Sequence, residues 1–169
     1  MARKTKALAK RPVIKKSGGS RLEDFITTRE SVGFVVREVW RSFARCLQPR
    51  IAREGVSIGM WFVLRMLWDE DGMTQRELGE RVGINAPTMV TALNSMERAG
   101  LVKRVNNQSD RRKINVFLTA RGRKLKSKLW PMAAEVLALS VSGLNRSQVQ
   151  SLNKMLAQVR LNLERDHFE

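Results

Sequence analysis

Apolar residues recur every three or four positions at Val32, Val35, Val36, Val39, Trp40, Phe43, Cys46, Leu47 and Ile51. That spacing predicts a helix from Ser31 to about Ile51 with one broad apolar face. Pro49 and the Glu54-Gly55 pair loosen its end. Ser57 is placed to cap a second helix, Ile58 to about Trp68, whose sequence IGMWFVLRMLW is apolar nearly all round and is expected to be buried. Asp69-Glu70-Asp71-Gly72 then marks a turn. Three acids together can hold a cation, but no distant ligands accompany them, which favours a plain acidic turn. Thr74-Gln75-Arg76-Glu77 has the form of a capping box and opens a short helix to about Val82, with Leu78 and Val82 inward. Gly83-Ile84 breaks it. Asn85 caps the next helix, which tolerates Pro87 in its first turn, runs to about Ala99 and stops at Gly100.

Two helices joined by a short glycine-containing turn form a helix-turn-helix pattern. The second of them carries Met89, Ala92, Leu93 and Met96 on one side and the short polar Thr88, Thr91, Asn94 and Ser95 on the other. Short hydrogen-bonding side chains suit a helix that must approach base edges in a major groove. Any helix hairpin shares this outline, so the residues after Gly100 carry the added weight. Leu101–Val105 and Ile114–Leu118 are β-prone runs around the polar, basic stretch Asn106–Lys113, which reads as a hairpin, or wing. Arg111, Arg112 and Lys113 near its tip are placed for phosphate or minor-groove contact, and Asp110 for orienting an arginine or tightening the turn. Thr119 caps a long helix, about 120–141, basic in its first half and apolar in its second, which Pro131 is expected to kink or restart. Asn145–Gln148 looks like a second capping box before a last helix, about 147–165. The apolar stripe of that helix needs a partner, either the chain's own core or a second copy. The fold class is therefore mainly α, a winged helix-turn-helix with long flanking helices, in the order helix-helix-strand-helix-helix-strand-strand-helix-helix.

Charge sharpens this picture. The 169 residues carry a net charge of +16, held in two blocks: +8 over residues 1–21 and +9 over residues 103–128, on a body that is otherwise nearly neutral. Such a distribution points to a directed contact with a polyanion, nucleic acid before anionic membrane or acidic protein. Residues 1–21, with Pro12 and Ser17-Gly18-Gly19-Ser20, are expected to be a disordered basic tail, either an arm that adds phosphate contacts or a dispensable extension. One cysteine, Cys46, excludes an internal disulfide. One histidine, His167 near the end, leaves the body without a histidine base, a Ser-His-Asp triad or a His/Cys zinc cluster, so neither an enzyme nor a cofactor is expected. No apolar run approaches the length of a membrane span, and no apolar signal core follows the basic start, so a cytoplasmic chain without membrane contact is expected.

The residues resemble the MarR family of bacterial winged helix-turn-helix regulators over roughly residues 31–165. Three signatures carry the resemblance: Met73–Ile84, reading MTQRELGERVGI; Met96–Arg104, reading MERAGLVKR; and Ser109–Lys113, reading SDRRK, followed by Leu118-Thr119 and Arg121-Gly122. Ser57 and Trp61 also match the family's second-helix pattern. The resemblance implies one domain over 22–169, with a winged helix-turn-helix at about 57–119 and dimerisation helices at about 25–52 and 120–167. It implies an obligate homodimer on a pseudo-palindromic double-stranded operator, and repression relieved by a small-molecule effector. The DNA-contacting set is then Arg76, Asn85, Ala86, Pro87, Thr88, Thr91, Asn94, Ser95, Lys103, Arg104, Arg111, Arg112 and Lys113. Two departures stand out. Ala86, Thr91 and Ser95 occupy positions that are often basic in the family, and Asn107-Gln108 stands where Asp-Pro is frequent.

The family's effector site would lie near Trp40, Phe43, Met60, Trp61, Leu64 and Trp68, with Arg37, Arg41 and Arg45 on the same first helix. An aromatic-lined cavity with a guanidinium fits a small aromatic carboxylate or an aromatic acyl-CoA. Plain core packing, with the arginines solvated or paired to Glu38, accounts for the same residues. Cys46, late on the apolar stripe and without a partner thiol, reads as a buried inert thiol more readily than as a redox trigger. A sequence-specific regulator is the leading reading, and a non-specific architectural DNA-binding protein without an effector is the alternative.

Overall fold

The structure is a computed structural model and describes residues 31–166. The basic tail expected over residues 1–21 lies outside the described residues, as do residues 22–30 and His167. The chain divides into two units, Met1–Arg41 and Ser42–Glu169, each treated by itself. Helix α1, Val32–Ala52, crosses that boundary. Its first half supplies the described part of the first unit and exposes Val32, Phe34, Val35, Val36 and Val39.

In the second unit the end of α1 is followed by α2 (Ile58–Asp69), α3 (Gln75–Val82), α4 (Ala86–Arg98), β1 (Val102–Asn106), β2 (Ile114–Leu118), α5 (Ala120–Ser140) and α6 (Arg146–Asp166). Side chains from the residue before each helix close its first turn. Ser57 accepts from Met60 N–H, Asn85 from Thr88 N–H and Thr119 from Gly122 N–H. Thr74 and Glu77 form the full reciprocal box, and Asn145 and Gln148 do the same before α6, with bonds of 2.8 and 2.9 Å. Each such cap satisfies amide groups that a helix start leaves orphaned, worth about 1 kcal/mol.

The end of α1 and the apolar faces of α2 to α5 converge on one core. Ile51, Leu64, Leu78, Met89, Leu93 and Leu129 are wholly buried in it, and the strands contribute Val102, Val116 and Leu118. Each such side chain contributes about 1.5–3 kcal/mol through removal from water. Fewer than half of the apolar residues of α2 meet the expectation of full burial: Trp61, Val63, Leu64 and Leu67 are buried, while Ile58, Met60, Phe62, Met66 and Trp68 pack against the core partly exposed. Cys46 is likewise half-buried against the core.

β1 and β2 pair antiparallel, from Val102 opposite Leu118 to Asn106 opposite Ile114. The strand expected between α2 and α3 is reduced to one bridge, Thr74 to Asn115, with Val116 N–H bonded to Met73 O at 2.8 Å. The Asp71-Gly72 turn and the Thr74 cap leave too few residues between them for a strand. Both prolines expected to disturb helices are carried within them. α1 passes through Pro49, and α5 runs unbroken through Pro131, whose exposed position lets solvent take up the carbonyl it leaves unbonded. α6 packs little of its apolar stripe, leaving Leu152, Met155, Leu156, Leu161 and Leu163 exposed. Among the described residues no helix is long and apolar enough to cross a membrane.

Candidate nucleic-acid interface

The turn between α3 and α4 sets the site's frame. Gly83 closes α3 with φ 76°, a left-handed conformation that glycine adopts without strain, and its N–H returns to Gly79 O at 2.9 Å. Asn85 then starts α4, and Met89, Leu93 and Met96 anchor its inner side. The opposite side presents Asn85, Ala86, Pro87, Thr88, Thr91 and Asn94 to solvent, with Ser95 half-buried. Thr91 Oγ1 donates to Pro87 O at 3.1 Å, so its hydroxyl oxygen remains an outward acceptor. Arg98 bends back over the helix and donates to Ser95 Oγ at 3.3 Å.

The wing rises beyond this helix. Asn107 Oδ1 accepts from the N–H groups of Ser109 and Asp110, both at 2.9 Å, and its amide donates to Asn115 Oδ1 at 2.8 Å. Asn115 in turn donates to Gly72 O at 2.7 Å. The departure at Asn107 is thus absorbed by an Asx turn that ties the wing base to the α2–α3 turn. Asp110 plays both of its expected parts, accepting from the Arg112 backbone N–H and from Nε, each at 3.1 Å. The Arg112 side chain holds the Asp110 carboxyl below its ordinary range. Arg111, Arg112 and Lys113 are all exposed, Arg112 to 90% of its side chain.

A cleft of about 640 Å³ between the start of α3 and the wing tip is lined by Thr74, Gln75, Arg76, Glu77, Glu80, Asp110, Arg112, Lys113 and Ile114. It brings Arg76, which pairs with Glu80 at 2.9 Å, to the same face as the wing cations. Lys103 is exposed on β1.

Arg104 differs from the other predicted cations because it is turned inward. Its backbone N–H donates to Glu97 Oε1 at 2.9 Å, and its guanidinium grips Glu97 Oε2 through Nε at 2.9 Å and Nη2 at 2.6 Å. Nη2 also donates to Asn94 Oδ1 at 2.6 Å. Most of its donors are spent within the protein, clamping β1 to α4. The hydrogen bond from Arg104 lowers the Glu97 carboxyl's pKa. Glu97 had no place in the predicted set, because its partner lies seven positions away on another element.

The residues proposed from sequence for an effector fall into several environments. In the first unit, Arg37 and Arg41 both lie beside Glu38, at 3.8 and 3.3 Å, and Trp40 is exposed. In the second unit, Arg45 donates to Ser42 Oγ at 3.0 Å, while Phe43 and Met60 are half-buried. Leu64 is wholly enclosed by the core and so packs there instead of lining an open cavity. Trp61 and Trp68 meet edge-on, with centroids 5.7 Å apart, and Trp61 also meets Trp130 at 6.5 Å. Arg65 stands 6.0 Å over the Trp61 ring. Trp130 and Arg65 were missed from sequence; Trp130 sits on a distant helix, and only the fold brings it here. Among the described residues no cluster of His, Cys, Asp and Glu has the makings of a metal site, including the acidic turn. There Asp71 accepts from Leu118 N–H at 2.8 Å and from Arg123 at 2.9 Å, and Glu70 pairs with Arg81 at 2.6 Å.

Comparison with known proteins agrees with this geometry. Residues 56–114, which run from just before α2 to the first residue of β2, match the MarR family model. Over that stretch the chain is similar to the winged-helix domain of that family. The HTH-type transcriptional regulator TtmR of Methylorubrum extorquens is 31% identical over 96 residues, 57% of this chain and 49% of that protein, so the chain spans about half that relative's length. A MarR transcriptional regulator from Methanosarcina mazei superposes with a TM-score of 0.73 at 25% identity, over 79% of this chain and 96% of the other. The transcriptional repressor CouR bound to a 23-mer DNA duplex superposes with a TM-score of 0.71, also at 25% identity, over 76% of this chain and 92% of the other. All three are named as transcriptional regulators or repressors.

Proposed function

We propose that the chain is a sequence-specific DNA-binding transcriptional regulator that works as a homodimer on a pseudo-palindromic operator. The observation that carries this is α4: anchored inside by Met89, Leu93 and Met96, it leaves Ala86, Pro87, Thr88, Thr91 and Asn94 open beside a wing tip of three exposed cations. A helix so presented enters a major groove while the wing holds phosphate. The match to the MarR family model and a solved neighbour described as a repressor on DNA support the same reading. Exposed apolar side chains along α6 support the dimer, since a stripe of that size needs cover. In this layout residues 1–21 act as a basic tail that adds phosphate affinity, 22–169 form one domain, and the helices about 25–52 and 120–167 join two copies. The protein would act in the bacterial cytoplasm, at the nucleoid.

The regulator acts as a repressor released by a small aromatic carboxylate or an aromatic acyl-CoA. The cluster of Trp61, Trp68 and Trp130 with Arg65 over one ring supports an aromatic anion. Competition binding tests the central claim. The full chain should prefer one palindrome over bulk duplex by about a thousandfold or more. Equal affinity for all duplexes would instead favour a non-specific architectural protein, a reading that the net charge of +16 supports on its own.

A further inference from the structure

The Asn94–Arg104 contact bears on which base Asn94 can read. A guanidinium carries donors and no acceptor, so the Asn94 amide must present its oxygen to Arg104. That settles which end of the amide is which: Oδ1 is engaged at 2.6 Å, and Nδ2 has no partner among the described residues. Arg104 cannot swing away freely, because Glu97 holds it through Nε, Nη2 and the backbone N–H. Asn94 itself is exposed on the outer side of α4.

We propose that Arg104 is a specificity-positioning residue: it fixes the Asn94 amide with its two N–H donors outward, so that Asn94 selects a base with major-groove acceptors, guanine above all or thymine. This deepens the DNA-binding proposal and rests on it. Guanine offers O6 and N7, and thymine offers O4. Adenine is the usual partner of a free asparagine, which donates to N7 and accepts from N6. With one lone pair of Oδ1 held by the Arg104 cation, that second bond is weakened, and the two free N–H donors favour guanine or thymine instead. The contacts form one chain: Glu97 holds Arg104, Arg104 orients Asn94, and Asn94 reads the base.

Selection of bound duplexes from a randomised pool tests this, using the full-length chain and three variants. Wild type should enrich guanine or thymine at one position of each half-site, a position that Asn94→Ala makes indifferent. Arg104→Met should move the preference at that same position toward adenine, by about tenfold in the base ratio, with the rest of the operator unchanged. Asn94→Asp leaves the Arg104–Glu97 clamp in place and replaces donors with an acceptor. It should disfavour guanine and thymine at that position and favour cytosine, which keeps the test decisive if Arg104→Met folds poorly. Adenine preferred by wild type at the Asn94-dependent position, or no change there in both Arg104→Met and Asn94→Asp, overturns the proposal while leaving DNA binding intact. A pool from which wild type enriches no sequence overturns the DNA-binding reading and this proposal with it.

Discussion

The Trp68 indole Nε1 donates to the Gly122 carbonyl at 3.0 Å, joining the end of α2 to the first turn of α5 across 54 positions of sequence. Gly122 is required there for a second reason: a Cβ on it would run into the Leu101 carbonyl. Gly122→Ala should therefore push α5 away from the start of β1 and cost about 1–3 kcal/mol. A thermal melt checks it, with an unchanged midpoint counting against this close approach.

Arg104 and Glu97 make a partly buried pair, with side chains 25% and 31% exposed. Hydrogen bonding from Arg104 lowers the Glu97 pKa below its ordinary 4.5, so the folded state takes up that proton less readily than the unfolded one. The stabilisation is fully present above the ordinary value and is lost as pH falls through the lowered one. Glu97→Gln should cost about 1–2 kcal/mol near neutrality, and the gap from wild type should close on acidification. Denaturant titrations at several pH values decide this; a gap that stays constant into acid contradicts it.

Arg112 at the wing tip is almost fully exposed and leans on Asp110. Arg112→Ala should weaken DNA binding across sequences and reduce the salt slope by about one per protomer. Binding isotherms over a salt series measure both, and an unchanged slope removes Arg112 from the interface.

Leu156 is exposed on α6 in line with Leu152, Met155 and Leu163. If this stripe joins two copies, Leu156→Glu should convert dimer to monomer at micromolar concentration and lower operator affinity steeply. Sedimentation velocity reads the outcome; a wild-type monomer would show that the stripe serves another purpose.

Trp61 lies within 6.5 Å of both Trp68 and Trp130, ring centre to ring centre. Aromatic carboxylates and aromatic acyl-CoA esters should quench the fluorescence of this cluster and release operator DNA over the same concentration range. Silence across such a panel would set the effector proposal aside.

Local chemistry was readable before any fold was known. Ser57, Thr74, Asn85, Thr119 and Asn145 each meet an amide three positions ahead, a distance that the helix itself dictates, so the helix starts followed from residue type alone. The outward polar face of α4 was legible because periodicity assigns faces, and the wing's cations because a basic, turn-prone stretch lies between two β-prone runs. Tertiary structure decided which of those residues are free to act. It turned Arg104 inward to Glu97, enclosed Leu64, carried α5 through Pro131, and cut the first strand to the Thr74–Asn115 bridge. It also set Trp130 against Trp61 and Asp71 against Leu118 and Arg123. These pairings depend on where whole elements pack, and spacing along the chain carries no record of a contact that only the closed core brings within reach.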